Sequence, residues 1–188
     1  MNDKDRKEDF EKCANEYERW KKQGNILRAA AVVLENCYNH NKDKKNFESE
    51  ILTPLIYLKA KSLELYLKAF YIKQGNPVTK NGFLIFGSEN KTHNLLFLME
   101  LVGLGYDEEQ KIKLLKLTNA IEFWGTYPVP LNWNNWKRDL EGTELVYEWN
   151  IRDNQCLDIF LATLEAHLYE DGSDINMTVI PKRYLLSK

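Results

Sequence analysis

Hydrophobic positions recur at intervals of three and four along much of the chain, and most densely from Ile51 to Gly75, ILTPLIYLKAKSLELYLKAFYIKQG. Two apolar rows run through this stretch: Leu52, Ile56, Ala60, Leu63, Leu67 and Phe70, and beside them Leu55, Leu58, Leu65, Ala69 and Ile72. Residues at that spacing share a helix face, and two adjacent rows cover more of the circumference than a surface helix requires. The pattern predicts a long central helix over 51–75 with neighbours on most sides. Pro54 fits its first turn, where the missing N–H would have no partner, and Gly75 before Asn76-Pro77 supplies a stop. What remains polar is a narrow strip, Lys61, Glu64 and Lys68, flanked by Tyr57 and Tyr71.

The same reading places a thinly apolar helix over 4–22, with Phe10, Cys13, Tyr17 and Trp20 as its docking stripe. Gln23-Gly24-Asn25 predicts a break, and 26–38 a second helix antiparallel to the first. The stretch 39–46 is polar throughout and reads as an exposed loop with a small basic patch. After the central helix, Phe83-Leu84-Ile85-Phe86 lies between Gly82 and Gly87 and fits either a short strand or a pinned loop. Thr92 or Asn90 is the predicted cap of a helix over 93–102 that carries Leu95, Leu96, Leu98 and Met99. Asp107 with Gln110 forms a capping-box pattern opening a helix over 107–124, whose apolar set is Ile112, Leu114, Leu115, Leu117, Ala120, Ile121 and Phe123. Asp153 or Asn154 is the expected cap of a last helix ending near 169, with Cys156, Ile159, Phe160, Thr163, Leu164 and His167 as its stripe. The fold class expected is therefore all-α, an up-and-down bundle of five to six helices around the central one. A single domain over 1–188 comprises an N-terminal helical hairpin and loop (1–46), the bundle, and an extended tail (171–188).

Bulk properties narrow the function. The 188 residues carry 26 Lys and Arg against 28 Asp and Glu, a formal charge of −2 with pI near 6.0, which excludes a generally basic, nucleic-acid-coating protein. Cys13, Cys37 and Cys156 are odd in number and far apart, so buried reduced thiols are expected rather than a disulfide frame. The charged start, MNDKDRKEDFEK, has no apolar segment, and every longer apolar run is interrupted by Lys or Glu. A soluble cytoplasmic protein with no membrane contact is expected.

Candidate chemistry is sparse. The three histidines, His40, His93 and His167, show no HExxH spacing, and no phosphate-cradling or esterase motif is present, so neither a metal site nor a cofactor is expected. Lys61, Glu64 and Lys68 read as a partly exposed ion pair with Glu64 and Lys68 in the favourable i, i+4 order, or as a cleft or interface strip meeting a ligand or partner. His93 reads as a structural residue at the start of its helix. Trp133 and Trp136, in a loop over 126–142 rich in Asn and Pro, read as end-packing tryptophans or as platforms on which bases stack beside Lys137 and Arg138.

The run Pro54-Leu55-Ile56-Tyr57-Leu58-Lys59-Ala60-Lys61-Ser62-Leu63-Glu64-Leu65-Tyr66-Leu67-Lys68-Ala69, followed by Thr92-His93-Asn94-Leu95, resembles HEPN-like helical domains, in which a Pro-led helix carries an E-L-x-L-K core and a later helix opens with H-D-L or H-N-L. Trp124-Gly125-Thr126-Tyr127-Pro128 is similar to a turn in uncharacterised bacterial members. The resemblance covers Leu52 to Pro128. It implies a helical bundle, often dimeric, working in bacterial defence, toxin–antitoxin or stress settings, with RNA cleavage by an Arg and a His four to six residues further on in the active branch. None of Arg6, Arg19, Arg28, Arg138, Arg152 and Arg183 has a histidine at that spacing, and Lys91 stands before His93 instead. The expectation is thus a non-catalytic binding or assembly module with a protein partner or a second copy of itself. The alternatives are a ribonuclease with a degenerate site around His93, or a small-molecule or nucleotide sensor using the Lys61-Glu64-Lys68 strip.

Overall fold

The two apolar rows form one helix, α3 (Phe47–Lys73), in a computed structural model that describes residues 3–41, 47–80, 82–87, 92–124 and 151–169. Around it lie α1 (Asp3–Ala14), α2 (Tyr17–Asn41), α4 (Leu95–Leu101), α5 (Glu108–Asn119) continuing into a π-helical turn at Ala120–Trp124, and α6 (Ile151–Tyr169). The chain is an all-α helical bundle. The segment after α3 is a short antiparallel hairpin, β1 (Thr79–Lys80) with β2 (Phe83–Leu84), so the apolar run there begins as a strand. α3 packs against α2, α4, α5, the π turn and α6. Leu63, Tyr66, Leu67, Leu98 and Leu161 are among its fully buried core.

α3 begins four residues before the predicted start, so Pro54 lies inside the helix and not in its first turn. Its ring-fixed φ is helical, and the cost is the hydrogen bond its absent N–H would give to the carbonyl four residues earlier.

The N-terminal helices divide elsewhere than Gly24 suggests. α1 stops at Ala14, and α2 runs unbroken through Gln23-Gly24-Asn25. Asn15 makes the break: its Nδ2 donates to the Glu11 carbonyl at 2.8 Å and to Thr79 Oγ1 at 2.9 Å, while its Oδ1 accepts from the Val78 N–H at 2.7 Å. Trp20 Nε1 donates to the Ala14 carbonyl at 2.8 Å. These side chains satisfy backbone groups that a helix end leaves open. Gly24 has another purpose. A Cβ there would lie 2.6 Å from the Tyr66 ring, so glycine is required by close approach of α2 to α3. The contact is sealed by Ser62 Oγ donating to the Gly24 carbonyl at 2.9 Å and Tyr66 OH donating to Asn25 Oδ1 at 2.6 Å.

Helix direction follows from the polar contacts. Ser62 meets Gly24 while Lys59 meets Glu35, so α2 and α3 are antiparallel; Lys59 meets Asp158 while Lys73 meets the carbonyls of His167 and Leu168, so α6 runs parallel to α3. Lys59, 1% exposed, is clasped by both oxygens of Glu35 at 3.0 Å and by Asp158 at 3.0 Å, which ties three helices at one point. Arg28 bonds Glu165 across α2 and α6.

Several local expectations shift. Asn94, not Thr92 or Asn90, caps α4, its side chain accepting from the Phe97 N–H at 3.0 Å. The Asp107–Gln110 capping box is present. α6 starts before Asp153, and its buried stripe is Leu157, Phe160, Leu161, Leu164 and Leu168, because Asp158 and Glu165, seven residues apart, are turned toward Lys59 and Arg28. On α5, Ile112 and Leu115 are exposed. Cys37 is exposed and Cys13 half-buried, so neither is the core thiol expected of it, and the Cys156 side chain lies outside the described residues. The loop 126–142 and the tail 171–188 also lie outside them.

Gly24→Ala tests the α2–α3 approach. A helix interior ordinarily gains about 1 kcal/mol from this change, whereas overpacking against the Tyr66 ring costs about 1–3 kcal/mol. Net destabilisation is expected in urea unfolding; a stabilised variant would show that the helices are not held this close.

Candidate functional site

The polar strip of α3 is not a solvated surface. Glu64 is 1% exposed and Lys68 is also buried, so the partly exposed ion pair expected of them is an interior one. Positions 61, 64 and 68 share one face, and that face is covered by the first turn of α2, by the residues after β2 and by the approach to α4. Lys61, Glu64, Lys68 and His93 come together there. Lys68 Nζ donates to Glu64 Oε1 at 2.5 Å, Lys61 Nζ to Glu64 Oε2 at 2.7 Å, and His93 Nδ1 lies 3.2 Å from Glu64 Oε1. Trp133 and Trp136, like Lys91, lie outside the described residues.

Lys68 is held by more than the carboxylate. Its ammonium sits 4.8 Å from the centre of the Phe86 ring and 5.8 Å from that of Trp20, and these two rings meet edge to face at 5.2 Å. An ammonium over aromatic faces is attracted by their quadrupoles, most strongly where water is excluded. Trp20 is fixed by its bond to the Ala14 carbonyl, so the elbow between α1 and α2 builds one wall of the site. His93 is brought in from the other side because Asn94, next in sequence, caps α4, and the Leu95 N–H donates to Thr118 Oγ1 at 3.1 Å.

Burial pushes the Glu64 carboxyl up, but the His93 hydrogen bond and the charges of Lys68 and Lys61 outweigh it and bring it down to about 2. Burial lowers Lys68 from its usual value, with the Glu64 charge opposing. Glu64 is therefore a permanent anion at neutral pH.

His93, its side chain half exposed, has two contacts with opposite demands. A bond to Glu64 needs Nδ1 as donor, while the Lys61 ammonium at 3.4 Å needs it as acceptor. The Glu64 contact is the shorter of the two, and a proton on Nδ1 would satisfy it, with Nε2 on the opposite side of the ring.

Beside the cluster, an open apolar groove of about 350 Å³ lies between α1, α2, α3 and the hairpin, lined by Phe10, Cys13, Trp20, Leu65 and Leu84 with Arg19 and Gln23. Trp20 belongs to both features. Among the described residues no group of His, Cys, Asp and Glu is arranged to hold a metal, and no helix is long and apolar enough to cross a membrane.

Sequence reasoning found the four clustered residues but not Trp20 and Phe86, which cage Lys68 from distant segments, nor Lys59, Glu35 and Asp158. The one signal for Lys59 was a lysine beside the apolar rows of so buried a helix. Against known protein families, curated proteins and solved structures, the chain shows no match.

A depression of Glu64 from 4.5 to about 2 corresponds to roughly 3 kcal/mol of stability. Because the folded value lies below the unfolded one, this contribution is complete above about pH 4.5 and is lost as pH falls toward 2. Glu64→Gln should cost about 3–5 kcal/mol at neutral pH, since it strands the buried Lys68 cation, and should flatten the stability profile between those limits. Urea titrations of both proteins across that range check it; an unchanged acid slope in the variant would remove Glu64 from this role.

Proposed function

We propose that this protein is a non-catalytic HEPN-like helical module that binds or assembles with protein, as its central-helix motif implies. One observation carries the reading: in the polar cluster that the described candidate residues form, the carboxylate and the buried ammonium are already engaged. Each Glu64 oxygen is taken by a cation of the same chain, and Lys68 is enclosed beneath two rings. A carboxylate so depressed moves no proton near neutrality, and a caged ammonium is a poor clamp for a substrate phosphate. Arg6, Arg19 and Arg28, the arginines whose side chains are described, pair with Asp3, Glu16 and Glu165.

A second reading has its own observation. A buried anionic Glu64 at His93 Nδ1, with Nε2 directed away from that bond, is the arrangement by which a carboxylate orients an imidazole for general-base work. Lys61 beside it would serve a phosphate as a point charge, without the bidentate guanidinium fork. This is the degenerate ribonuclease, and His93 would be its base.

Metal-free protein incubated with structured and unstructured RNA separates the two. No cleavage above background is expected, and His93→Ala should behave as the parent does. Cleavage by the parent that His93→Ala loses, with helicity intact, would replace the first reading by the second.

A further inference from the structure

α2 packs on α3 through Gly24 and the buried Ala31, and its flank bonds α6 through Arg28. Between Ile26 and Asn39 the side facing away from α3 carries no charge: its exposed residues are Ile26, Ala29, Ala30, Val32, Val33, Asn36, Cys37 and Asn39. Val33 is 62% exposed and Ile26 51%. The two charged residues within that span, Arg28 and Glu35, are turned to Glu165 and Lys59. By contrast, α1 presents almost nothing but Asp, Glu, Lys and Arg, and the exposed side of α5 sets Ile112 and Leu115 among the pairs Lys111–Glu108 and Lys113–Glu109. An uncharged apolar face on a chain with 29% charged residues is a docking surface in need of an occupant.

We propose that the occupant is a second copy of this chain, α2 against α2 in antiparallel register about a two-fold axis midway between Ala30 and Val33. This gives the assembly reading above a surface and a partner, and rests on it. Two-fold contact sets a patch against itself, so a net charge there would meet its own like; a patch without charge meets that condition. Ile26, Ala30, Val33 and Cys37 follow one another at four, three and four, the spacing of a helix-pairing seam. In the antiparallel register Ile26 lies against Cys37 of the second copy and Ala30 against its Val33, with the small alanine letting the helices approach. Beyond the apolar part, Gln23 meets His40 and Lys22 meets Asn41, a polar rim free of like charges. The parallel alternative would set Lys22 against Lys22 and Arg19 against Arg19. Fourteen residues of one helix face extend only about 21 Å, so the dimer is of the weak, concentration-dependent kind.

The test uses the full chain. Sedimentation equilibrium up to about 500 µM should show dimers that dissociate on dilution. Val33→Glu, at an exposed position, should weaken the dimer about tenfold or more while circular dichroism and Tm stay as in the parent. Ile26→Cys should form a disulfide-linked dimer on mild oxidation through the native Cys37, and Cys37→Ser should abolish it. In the parent the two Cys37 residues lie about 16 Å apart along the axis and should not link. A parent that stays monomeric throughout, as it would if another segment or another protein covered α2, overturns the proposal. So does a dimer indifferent to Val33→Glu, or a Cys37–Cys37 link in the parent. The RNA assay is unaffected by any of these outcomes, so the two readings fail separately.

Discussion

The bundle depends on burying four polar side chains inside its most apolar helix. Lys59, Ser62, Glu64 and Lys68 are all nearly inaccessible, and each must be matched or it would cost several kcal/mol. Their partners come from different elements: Glu35 of α2 and Asp158 of α6 for Lys59, the Gly24 carbonyl for Ser62, His93 before α4 for Glu64, and the rings of Trp20 and Phe86 for Lys68. Apolar surfaces alone tolerate sliding and rotation. A buried ion with one geometry for its partner does not, so these contacts set which helix lies where and in which direction.

That constraint explains what could be read in the sequence. The central helix, the all-α class and the α5 capping box rest on local periodicity and short-range signals, and these survive in the structure. The division of the N-terminal helices could not be read, because glycine marks both a turn and a close approach, and only Tyr66, forty-two residues away from Gly24, decides between them. On α6 the expected Phe160 and Leu164 are buried, but Leu157, Leu161 and Leu168 complete the buried face, since Asp158 and Glu165 reach cations on other helices. Within the candidate site, spacing placed Lys61, Glu64 and Lys68 on one face. It could not say that the face is buried, since that depends on Trp20 and Phe86 arriving from elsewhere.

The cluster on α3 joins the central helix to the α1–α2 elbow, to the hairpin and to the approach of α4. A carboxylate with two lysines and a histidine has the composition of a catalytic centre, yet both of its oxygens are already taken by cations of the same chain, and Lys61 shares that one anion with the buried Lys68. His93 and Lys61, the two members of the set with appreciable exposure, are where any chemistry of this site would have to begin.

The fit of Gly24 against the Tyr66 ring makes two distant positions into one variable. In any related chain that keeps this spacing of α2 and α3, a residue with a Cβ at 24 requires something slimmer than tyrosine at 66, and the loss of that ring also removes the hydroxyl that donates to Asn25 Oδ1. Substitutions at these three positions should therefore travel together through descent, a correlated signature by which relatives too divergent for overall similarity could still be told apart from chance helical bundles.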